Sequence, residues 1–397
     1  MSRGAWVNLA KLLCVAGLLW LVLANVGWHD AWTVHRGEEA TTTYGKIEGP
    51  WDETVVRFLP DGAEEALLLR TGPQDDGSRV EVTAGFLTYV RNVDPWLFVL
   101  GALCYFVSAS FAAFRWWWLL RVNRLDVTPF EAWRFTWIGV FFNNFVPGQT
   151  GGDVIKAVYI IKHCKDGNRV AAGVSVLVDR VLGLGSLALL AAVIVLFALD
   201  RFADLALGIW AVLAGVLLLG CVAFSRRLRR GVGLDALMKR LPLSQFLKKI
   251  DQAIFFYRGH TLGIAAWMVA GMASHVLSVL SVALIGKAMT LGMPTFEYFV
   301  LVPIINIVSA VPLGPNGWGV GEAMFGHLFA TYGAAYVAAA ADPAQVMYTR
   351  GVALSLLYRV HLTLWSLLGG VLVLLERERV TKRDVDAELV AQSSAAE

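Results

Sequence analysis

Charged residues are scarce in this chain of 397 residues, of which they make up only 16%. A soluble domain carries about a quarter charged residues, so the scarcity argues against a large soluble enzyme and against a disordered chain. The same scarcity argues against a nucleic-acid module built on a basic face, and with a net charge of only +3 the placement of the charges matters more than their total. Hydrophobic residues make up 57% and the mean hydropathy is +0.60. This composition indicates a membrane protein.

Patterns that carry chemistry are missing as well. The four cysteines lie in or beside apolar stretches without metal-ligand spacing, so we interpret them as small core residues. They are Cys14, Cys104, Cys164 and Cys221. The sequence also lacks a Walker loop, a nucleophile-and-base pattern and a close histidine pair. We therefore expect no metal, no cofactor, no nucleic-acid partner and no enzymatic activity.

Six segments are apolar over about the 20 residues that a membrane-spanning helix needs. They are residues 6–26, 96–120, 170–199, 203–224, 261–288 and 346–375. The first segment could instead be a signal peptide, because basic residues precede its apolar core and Val22-Leu23-Ala24 resembles a cleavage site. Cleavage would break the symmetry described below, so a retained first helix is the favoured interpretation.

Charge is distributed unevenly along the chain. Residues 27–94 hold 13 acidic and 6 basic side chains, whereas residues 225–260 hold 2 acidic and 9 basic ones. Because positive charge prefers the cytoplasmic side, residues 225–260 and both termini are predicted to be cytoplasmic. Short alternating runs at 54–59, 66–70 and 79–82 predict a small β-rich insertion outside the cytoplasm.

Two further features suggest contact with the membrane surface. Residues 243–257 place their apolar side chains on one face, which predicts an amphipathic helix on the cytoplasmic leaflet. Trp116-Trp117-Trp118 lies between Arg115 and Arg121, a pattern typical of an interfacial anchor.

The segment 131–161 must begin and end inside, yet its apolar runs are too short for two comfortable crossings. Pro147-Gly148-Gln149-Thr150 interrupts it. A re-entrant pair of half-helices is the simplest solution, since irregular backbone is tolerated at depth where it is buried or lines a wet cavity. Two full crossings would preserve the same end-side charges and remain an alternative.

A second predicted re-entrant pair of half-helices occurs later in the chain, with the opposite orientation in the membrane. Phe130-Glu131 precedes Pro147 by 17 residues, and Phe296-Glu297 precedes Pro312 by 16. Asp153 precedes Arg180 by 27 residues, and Glu322 precedes Arg350 by 28. An inverted repeat with broken helices is a recurrent transporter plan, with the substrate site near the bilayer midplane.

The predicted fold is therefore an all-α polytopic membrane protein with about six transmembrane helices and two re-entrant helical hairpins in an inverted repeat, plus the β-rich extracytoplasmic insertion. The predicted domains are a first transmembrane helix or signal anchor at 1–26, the insertion at 27–94, the first membrane repeat at 95–199, the second at 200–376 with a cytoplasmic amphipathic helix at 234–258, and a cytoplasmic tail at 377–397.

Ionisable residues deep in apolar helices are costly and normally face a partner, a bundle interior or water. A helix start at Thr150–Asp153, with its capping residue and exposed amides, is suited to binding an anion, and Lys156 follows one turn later. The predicted substrate-binding residues are Asn143, Asn144, Pro147, Gln149, Thr150, Gly151, Gly152, Asp153, Lys156, Asp179, Arg180, Pro312, Asn316, Gly317, Gly319, Glu322, Arg350 and Arg359. The alternatives are an Asp179–arginine pair that only fixes helix packing, and turn residues that only cap helices.

These motifs resemble the lysylphosphatidylglycerol synthase transmembrane family, also called flippase-like domain proteins. The likeness lies in Asn144…Pro147…Gly151-Gly152-Asp153, in Ser175…Asp179-Arg180…Gly183-Leu184 and in Pro312…Gly317…Gly319…Glu322, and it covers about 96–376. It implies movement of lipids or lipid-linked molecules between leaflets. Some members carry an aminoacyl-transferring domain, which this chain does not show. The family often has arginine where this chain has Lys156, and lysine keeps the charge but loses bidentate phosphate binding.

Three functions stay open at this point. The favoured one is transport of an amphipathic lipid, with an anionic headgroup, across the cytoplasmic (inner) membrane. A lipid-modifying transferase using the same acids and bases is the second. The third is an envelope protein that recruits protein partners through residues 27–94.

Overall fold

The computed structural model divides the chain into two compact units. It describes residues 13, 16–37, 39–145, 151–163, 169–224, 257–310, 317–338, 340 and 342–376. The first unit comprises Met1–Leu103, Leu280–Leu301 and Gly317–Leu362, and the second comprises Cys104–Val279, Val302–Asn316 and Thr363–Glu397. The amphipathic helix predicted at 234–258 lies outside the described residues up to 256, as does the tail at 377–397.

A six-stranded antiparallel sheet belongs to the first unit. Its strands are β1 (Asp30–Arg36), β2 (Glu39–Ile47), β3 (Val55–Pro60), β4 (Leu67–Arg70), β5 (Gly72–Pro73) and β6 (Arg79–Thr83), in the order β4-β3-β2-β1-β6-β5. Alternation with period two explains strand β3, because Val56 and Phe58 are buried while Val55 and Arg57 are exposed. The predicted β structure within residues 27–94 is confirmed, and the three predicted runs correspond to β3, β4 and β6.

The buried carboxylate of Asp30 ties the sheet to the segment that follows it. It accepts hydrogen bonds from the backbone N–H of Ile47 at 2.7 Å and of Gly85 at 2.7 Å, and from the hydroxyl of Thr88 at 2.8 Å. A buried carboxylate is costly unless it is paired or hydrogen-bonded, and these three donors satisfy that requirement. They fix strand β1 against helix α1 (Phe86–Arg91).

The described helices that follow α1 account for most of the remaining structure. They are α2 (Pro95–Val122), α3 (Pro129–Phe145), α4 (Gly151–His163), α5 (Arg169–Val195), α6 (Leu199–Phe224), α7 (Thr261–Ala288), α8 (Thr295–Ser309), α9 (Val320–Gly333) and α10 (Pro343–Leu375). Four stretches are apolar and long enough to cross a membrane, namely Pro95–Val122, Arg169–Val222, Thr261–Ala288 and Pro343–Leu375.

The stretch Arg169–Val222 contains two of the predicted spans. A short 3-10 turn, Leu196–Ala198, separates α5 from α6, and Phe202 has non-helical backbone angles (φ −125°, ψ 27°). Of the first predicted span, the described residues 16–24 are helical, and Gly27 just beyond donates its N–H to the Thr349 hydroxyl of α10 at 3.0 Å. The total of six spans stays a prediction.

Over the described residues, helices α3, α4, α8 and α9 are each shorter than a full crossing. They contain 17, 13, 15 and 14 residues, whereas a crossing takes about 20. The helix start predicted at Thr150–Asp153 is confirmed, because α4 begins at Gly151. The two connecting segments, 146–150 and 311–316, lie outside the described residues, so re-entrance stays a prediction.

Two glycines let α3 and α4 approach closely. A Cβ atom built on Gly152 would lie 2.0 Å from the carbonyl oxygen of Gly139 and 2.6 Å from the side chain of Asn143. The backbone N–H of Gly152 donates to Asn143 Oδ1 at 2.9 Å. Only glycine fits this contact, which brings the start of α4 against the middle of α3.

Candidate functional site

Two polar clusters lie inside the helical part of the protein, one in each unit. In the second unit, Asp179 of α5 is the acceptor at the centre. Arg115 Nε donates to Asp179 Oδ1 at 2.8 Å, and Lys156 Nζ lies 3.5 Å from Oδ2. All three side chains are nearly buried. We call Arg115, Lys156 and Asp179 the buried triad.

Aromatic and small residues surround the triad. Lys156 Nζ lies 3.8 Å from the ring centre of Trp116, a cation–π contact that stabilises a desolvated ammonium. The indole N–H of Trp116 donates to the Ser175 hydroxyl at 3.1 Å. A Cβ atom on Gly183 would lie only 3.1 Å from Arg115 Nη2, so this glycine leaves room for the guanidinium.

A second ion pair joins the first turn of α4 to α5. Arg180 Nε donates to Asp153 Oδ2. The arginine side chain is 39% exposed and the aspartate 23%, whereas the triad side chains are 6% to 13% exposed. We call Asp153 and Arg180 the accessible pair. Five charges of α2, α4 and α5 thus comprise three cations and two carboxylates.

The cluster in the first unit is a different ion pair. Arg359 of α10 donates from Nε to Glu322 Oε1 and from Nη2 to the Gly317 carbonyl oxygen at 3.0 Å. Its guanidinium carbon lies 4.6 Å from the ring centre of Trp318. Glu322 is fully buried, and its Oε2 accepts the backbone N–H of Gly319 at 2.7 Å.

Glycine is required in the turn that leads into α9. Gly317 has φ +71° and Gly319 has φ +83°, a region that costs residues with a Cβ atom about 1–2 kcal/mol. These angles bring the Gly317 carbonyl and the Gly319 N–H to the same ion pair. We call Glu322 and Arg359 the closed pair.

Arg350, which the repeat aligned with Arg180, does not contact Glu322. Its Nε donates to the Tyr89 hydroxyl at 3.0 Å and its Nη1 to the Leu291 carbonyl oxygen at 2.8 Å. Nine residues of helix separate it from Arg359, or about 13 Å at 1.5 Å per residue. Burial raises the pKa of the Tyr89 phenol above its usual range, and Arg350 only partly opposes this. Arg350 therefore faces a neutral phenol.

The structure brings together seven of the predicted site residues in the second unit and four in the first. Those of the second unit are Asn143, Gly151, Gly152, Asp153, Lys156, Asp179 and Arg180, and those of the first are Gly317, Gly319, Glu322 and Arg359. Asn144 is half-buried near the end of α3. The predicted residues that lie outside the described part of the chain are Pro147, Gln149, Thr150, Pro312 and Asn316.

Sequence reasoning missed three members of these clusters. The interfacial-anchor interpretation is wrong for Trp116, which is fully buried and contacts Lys156. Arg115 belongs to the buried triad instead of marking the membrane surface, and Trp318 covers Arg359. An arginine within the continuous apolar helix α2 was the available signal for Arg115. The Asp179–arginine pair weighed as a packing device is present, with Arg115 as its partner.

The described residues hold no group of three or more metal-ligating side chains close enough to bind a metal ion. The clusters offer cations, carboxylates and backbone amides in apolar surroundings. Such an arrangement can bind an anion by displacing a carboxylate from an arginine, because both groups present oxygen atoms to the same guanidinium.

Comparison with known proteins agrees with these features. The profile of the lysylphosphatidylglycerol synthase TM region matches residues 82–342, compared with the 96–376 expected from the motifs. The UPF0104 membrane protein PH1989 of Pyrococcus horikoshii is 24% identical over 314 residues, which are 73% of this chain and 90% of that protein. No solved structure matches the chain. Its apolar helices and this match show that the chain is a multi-pass membrane protein of the lysylphosphatidylglycerol synthase transmembrane-region family.

Proposed function

We propose that this protein moves an amphipathic lipid with an anionic headgroup between the two leaflets of the cytoplasmic membrane. The observation that carries the proposal is the surplus positive charge around Asp179. Three cations face two carboxylates there, and two of the three helices that carry them, α2 and α5, belong to stretches apolar enough to span a bilayer. An uncompensated charge is costly away from water, so this site favours an additional anion such as a lipid phosphate.

The accessible pair is the part of the cluster that a headgroup reaches first. Arg180 is 39% exposed and pairs with the Asp153 carboxylate. A phosphate can replace Asp153 on the guanidinium without opening the buried triad. The buried triad stays intact during this exchange. It keeps its net positive charge next to the accessible pair, and its contacts hold α4 against α5 and α2.

The closed pair supports the same function in a different way. Arg359 and Glu322 balance each other, and Trp318 covers the guanidinium. The pair fixes the Gly317–Gly319 turn instead of offering a free charge.

Transport leaves the lipid chemically unchanged, with both termini of the protein in the cytoplasm and no cofactor required. The lipid-modifying transferase predicts an altered lipid after incubation with a donor. The recruitment function predicts that deleting residues 28–92 abolishes function while substitutions at Arg180 are tolerated. The surplus positive charge of the cluster around Asp179 supports transport over recruitment, since a recruiting protein needs no cation there.

Leaflet exchange in proteoliposomes tests the proposal. The native protein is reconstituted with a small panel of headgroup-labelled lipids, and exchange is followed by quenching of the outer leaflet. Arg180→Gln is the test variant. Arg121→Gln is the matched control, because Arg121 is an exposed arginine of the same unit that stacks on Trp117.

We expect the native protein and the control to exchange an anionic lipid rapidly, and Arg180→Gln to slow that exchange at least ten-fold. Mass spectrometry of the recovered lipid is expected to show no chemical change. Equal exchange by all three proteins would reject the site, and a modified lipid would favour the transferase. No exchange of any lipid would count against transport and favour recruitment.

A further inference from the structure

A cavity of about 340 Å³ lies in the first unit between the sheet and the outer part of α10. The sheet side comprises residues of β6, Thr71 and Gly72 at the start of β5, and residues 51–53 of the segment between β2 and β3, and the helical side includes Val346 and Arg350. Ligand cavities start at about 300 Å³, so this one is large enough for a small molecule or a lipid headgroup. None of its lining residues belongs to either of the two polar clusters.

The inner wall of the cavity carries a buried cation. Arg350 is 8% exposed, and no carboxylate among the described residues lies within ion-pair distance of it. Tyr89 and Leu291 occupy its Nε and Nη1 atoms, while its Nη2 has no hydrogen-bond partner among the described residues. A desolvated guanidinium with an unused donor favours an anion at its side.

Trp51 also lines the cavity and packs against the Arg350 guanidinium. Its ring lies 4.9 Å from the Arg350 guanidinium carbon and 5.0 Å from the ring of Tyr89. Its indole N–H is buried without a hydrogen-bond partner among the described residues. A buried indole N–H without a partner is unusual, because buried polar groups are normally paired.

The outer part of the cavity has the opposite charge. Asp52 and Glu53 are exposed there, and Glu81 lies half-buried with its Oε2 3.6 Å from His35 Nε2. Arg79 is the one basic side chain lining the outer part. Three carboxylates therefore stand outside a buried arginine, which gives the cavity a positive inner end and a negative outer end.

We propose that this cavity binds a small zwitterion, with a phosphate at Arg350 and an ammonium group at the Asp52 and Glu53 carboxylates. A purely anionic ligand would meet three carboxylates on its way in, and a purely cationic one would leave Arg350 unpaired. The ligand comes either from a free phosphoethanolamine-type metabolite or from the headgroup of a lipid. Both sources present the same phosphate and ammonium.

Isothermal titration calorimetry on the full-length protein in detergent tests the proposal with free phosphoethanolamine. Inorganic phosphate and glycerol phosphate, which lack the ammonium group, are the comparison ligands. Nanodiscs containing phosphatidylethanolamine or phosphatidylglycerol test the lipid source. The variants are Arg350→Gln, the double variant Asp52→Asn with Glu53→Gln, and the control Arg36→Gln, an exposed arginine of β1 beside Asp76.

We expect phosphoethanolamine, free or as a lipid headgroup, to bind at least ten-fold more tightly than its ammonium-free counterpart. The double variant at the exposed mouth, which leaves the buried residues in place, is expected to abolish this preference. Arg350→Gln is expected to weaken the binding of both phosphoethanolamine and its ammonium-free counterpart, whereas Arg36→Gln is expected to change the binding of neither. Absence of binding from both sources, equal binding of inorganic phosphate, or a preference that survives the double variant would overturn the proposal.

Discussion

The accessible pair and the closed pair are built from the same parts and differ in exposure. In each, a carboxylate in the first turn of a short helix meets an arginine from a long apolar helix further along the chain. Asp153 and Arg180 are 23% and 39% exposed, whereas Glu322 and Arg359 are 0% and 9% exposed. The first pair can exchange its carboxylate for a ligand, and the second holds a turn in place.

The two pairs differ in exposure because their arginines lie at different distances along the chain from the acid. Asp153 is 27 residues before its partner, and Glu322 is 37 residues before its own. The later arginine lies deeper along α10, where Trp318 and the Gly317 carbonyl enclose it. The sequence repeat therefore places the two acids at equivalent positions but does not give them equivalent arginine partners. The stabilities of variants at the two pairs can be compared directly.

The largest effect is expected from Arg359→Gln. This change leaves the fully buried Glu322 carboxylate without its cation, and breaking a buried pair in this way costs about 3–5 kcal/mol. Chemical unfolding of the purified protein in detergent, followed by tryptophan fluorescence, measures the loss. A free energy of unfolding unchanged within 1 kcal/mol would show that the closed pair does not stabilise its turn.

The next largest loss of stability is expected from Gly152→Ala. The added Cβ would clash with the Gly139 carbonyl at 2.0 Å, and overpacking of this kind costs about 1–3 kcal/mol. Gly173→Ala is the matched control in the same unit, because nothing lies within 4 Å of its added Cβ. The same unfolding measurement compares them, and equal stability of the two variants would contradict the close approach of α3 and α4.

Gly319→Ala tests the turn of the closed pair more gently. The residue has φ +83°, and an alanine there costs about 1–2 kcal/mol. We expect a loss of unfolding free energy in that range, with Gly208→Ala of α6 as a control because its added Cβ meets open space. Tolerance of alanine at 319 equal to that at 208 would argue against the turn geometry.

The smallest effect on stability is expected from Arg180→Gln. An ion pair this exposed contributes about 0–1 kcal/mol, so the free energy of unfolding should stay within that margin of the native value. The difference between the stability losses of Arg180→Gln and Arg359→Gln directly measures how much less the accessible pair stabilises the protein than the closed pair does. Equal losses in the two variants would remove the distinction between the pairs.

Much of the helical architecture could be predicted from the sequence. Apolar runs of about 20 residues marked the long helices, and period-two runs marked strands β3, β4 and β6. Capping chemistry at Thr150–Asp153 located the start of α4, because an acid at the third position of a helix is a local signal. The resemblance of the turn motifs correctly indicated the family.

The partners of the charged residues could not be predicted in the same way. Arg115 stands beside three tryptophans at the end of an apolar helix, a pattern that local rules assign to the membrane surface. Its actual partner, Asp179, is 64 residues away. Spacing also favoured Arg350 over Arg359 for Glu322. Which side chains meet across packed helices depends on tertiary placement, which spacing along one chain does not encode.

The headgroup preference of leaflet exchange tests the central claim most directly. We would measure the exchange of phosphatidylglycerol relative to phosphatidylcholine in proteoliposomes containing the native protein, Arg180→Gln or Arg121→Gln. A hydrogen bond to a charged group is worth about 1.5–3 kcal/mol, so the native protein and the control should prefer the anionic lipid by about ten-fold or more. The account predicts that Arg180→Gln, still folded, loses this preference, and an undiminished preference in that variant would contradict it.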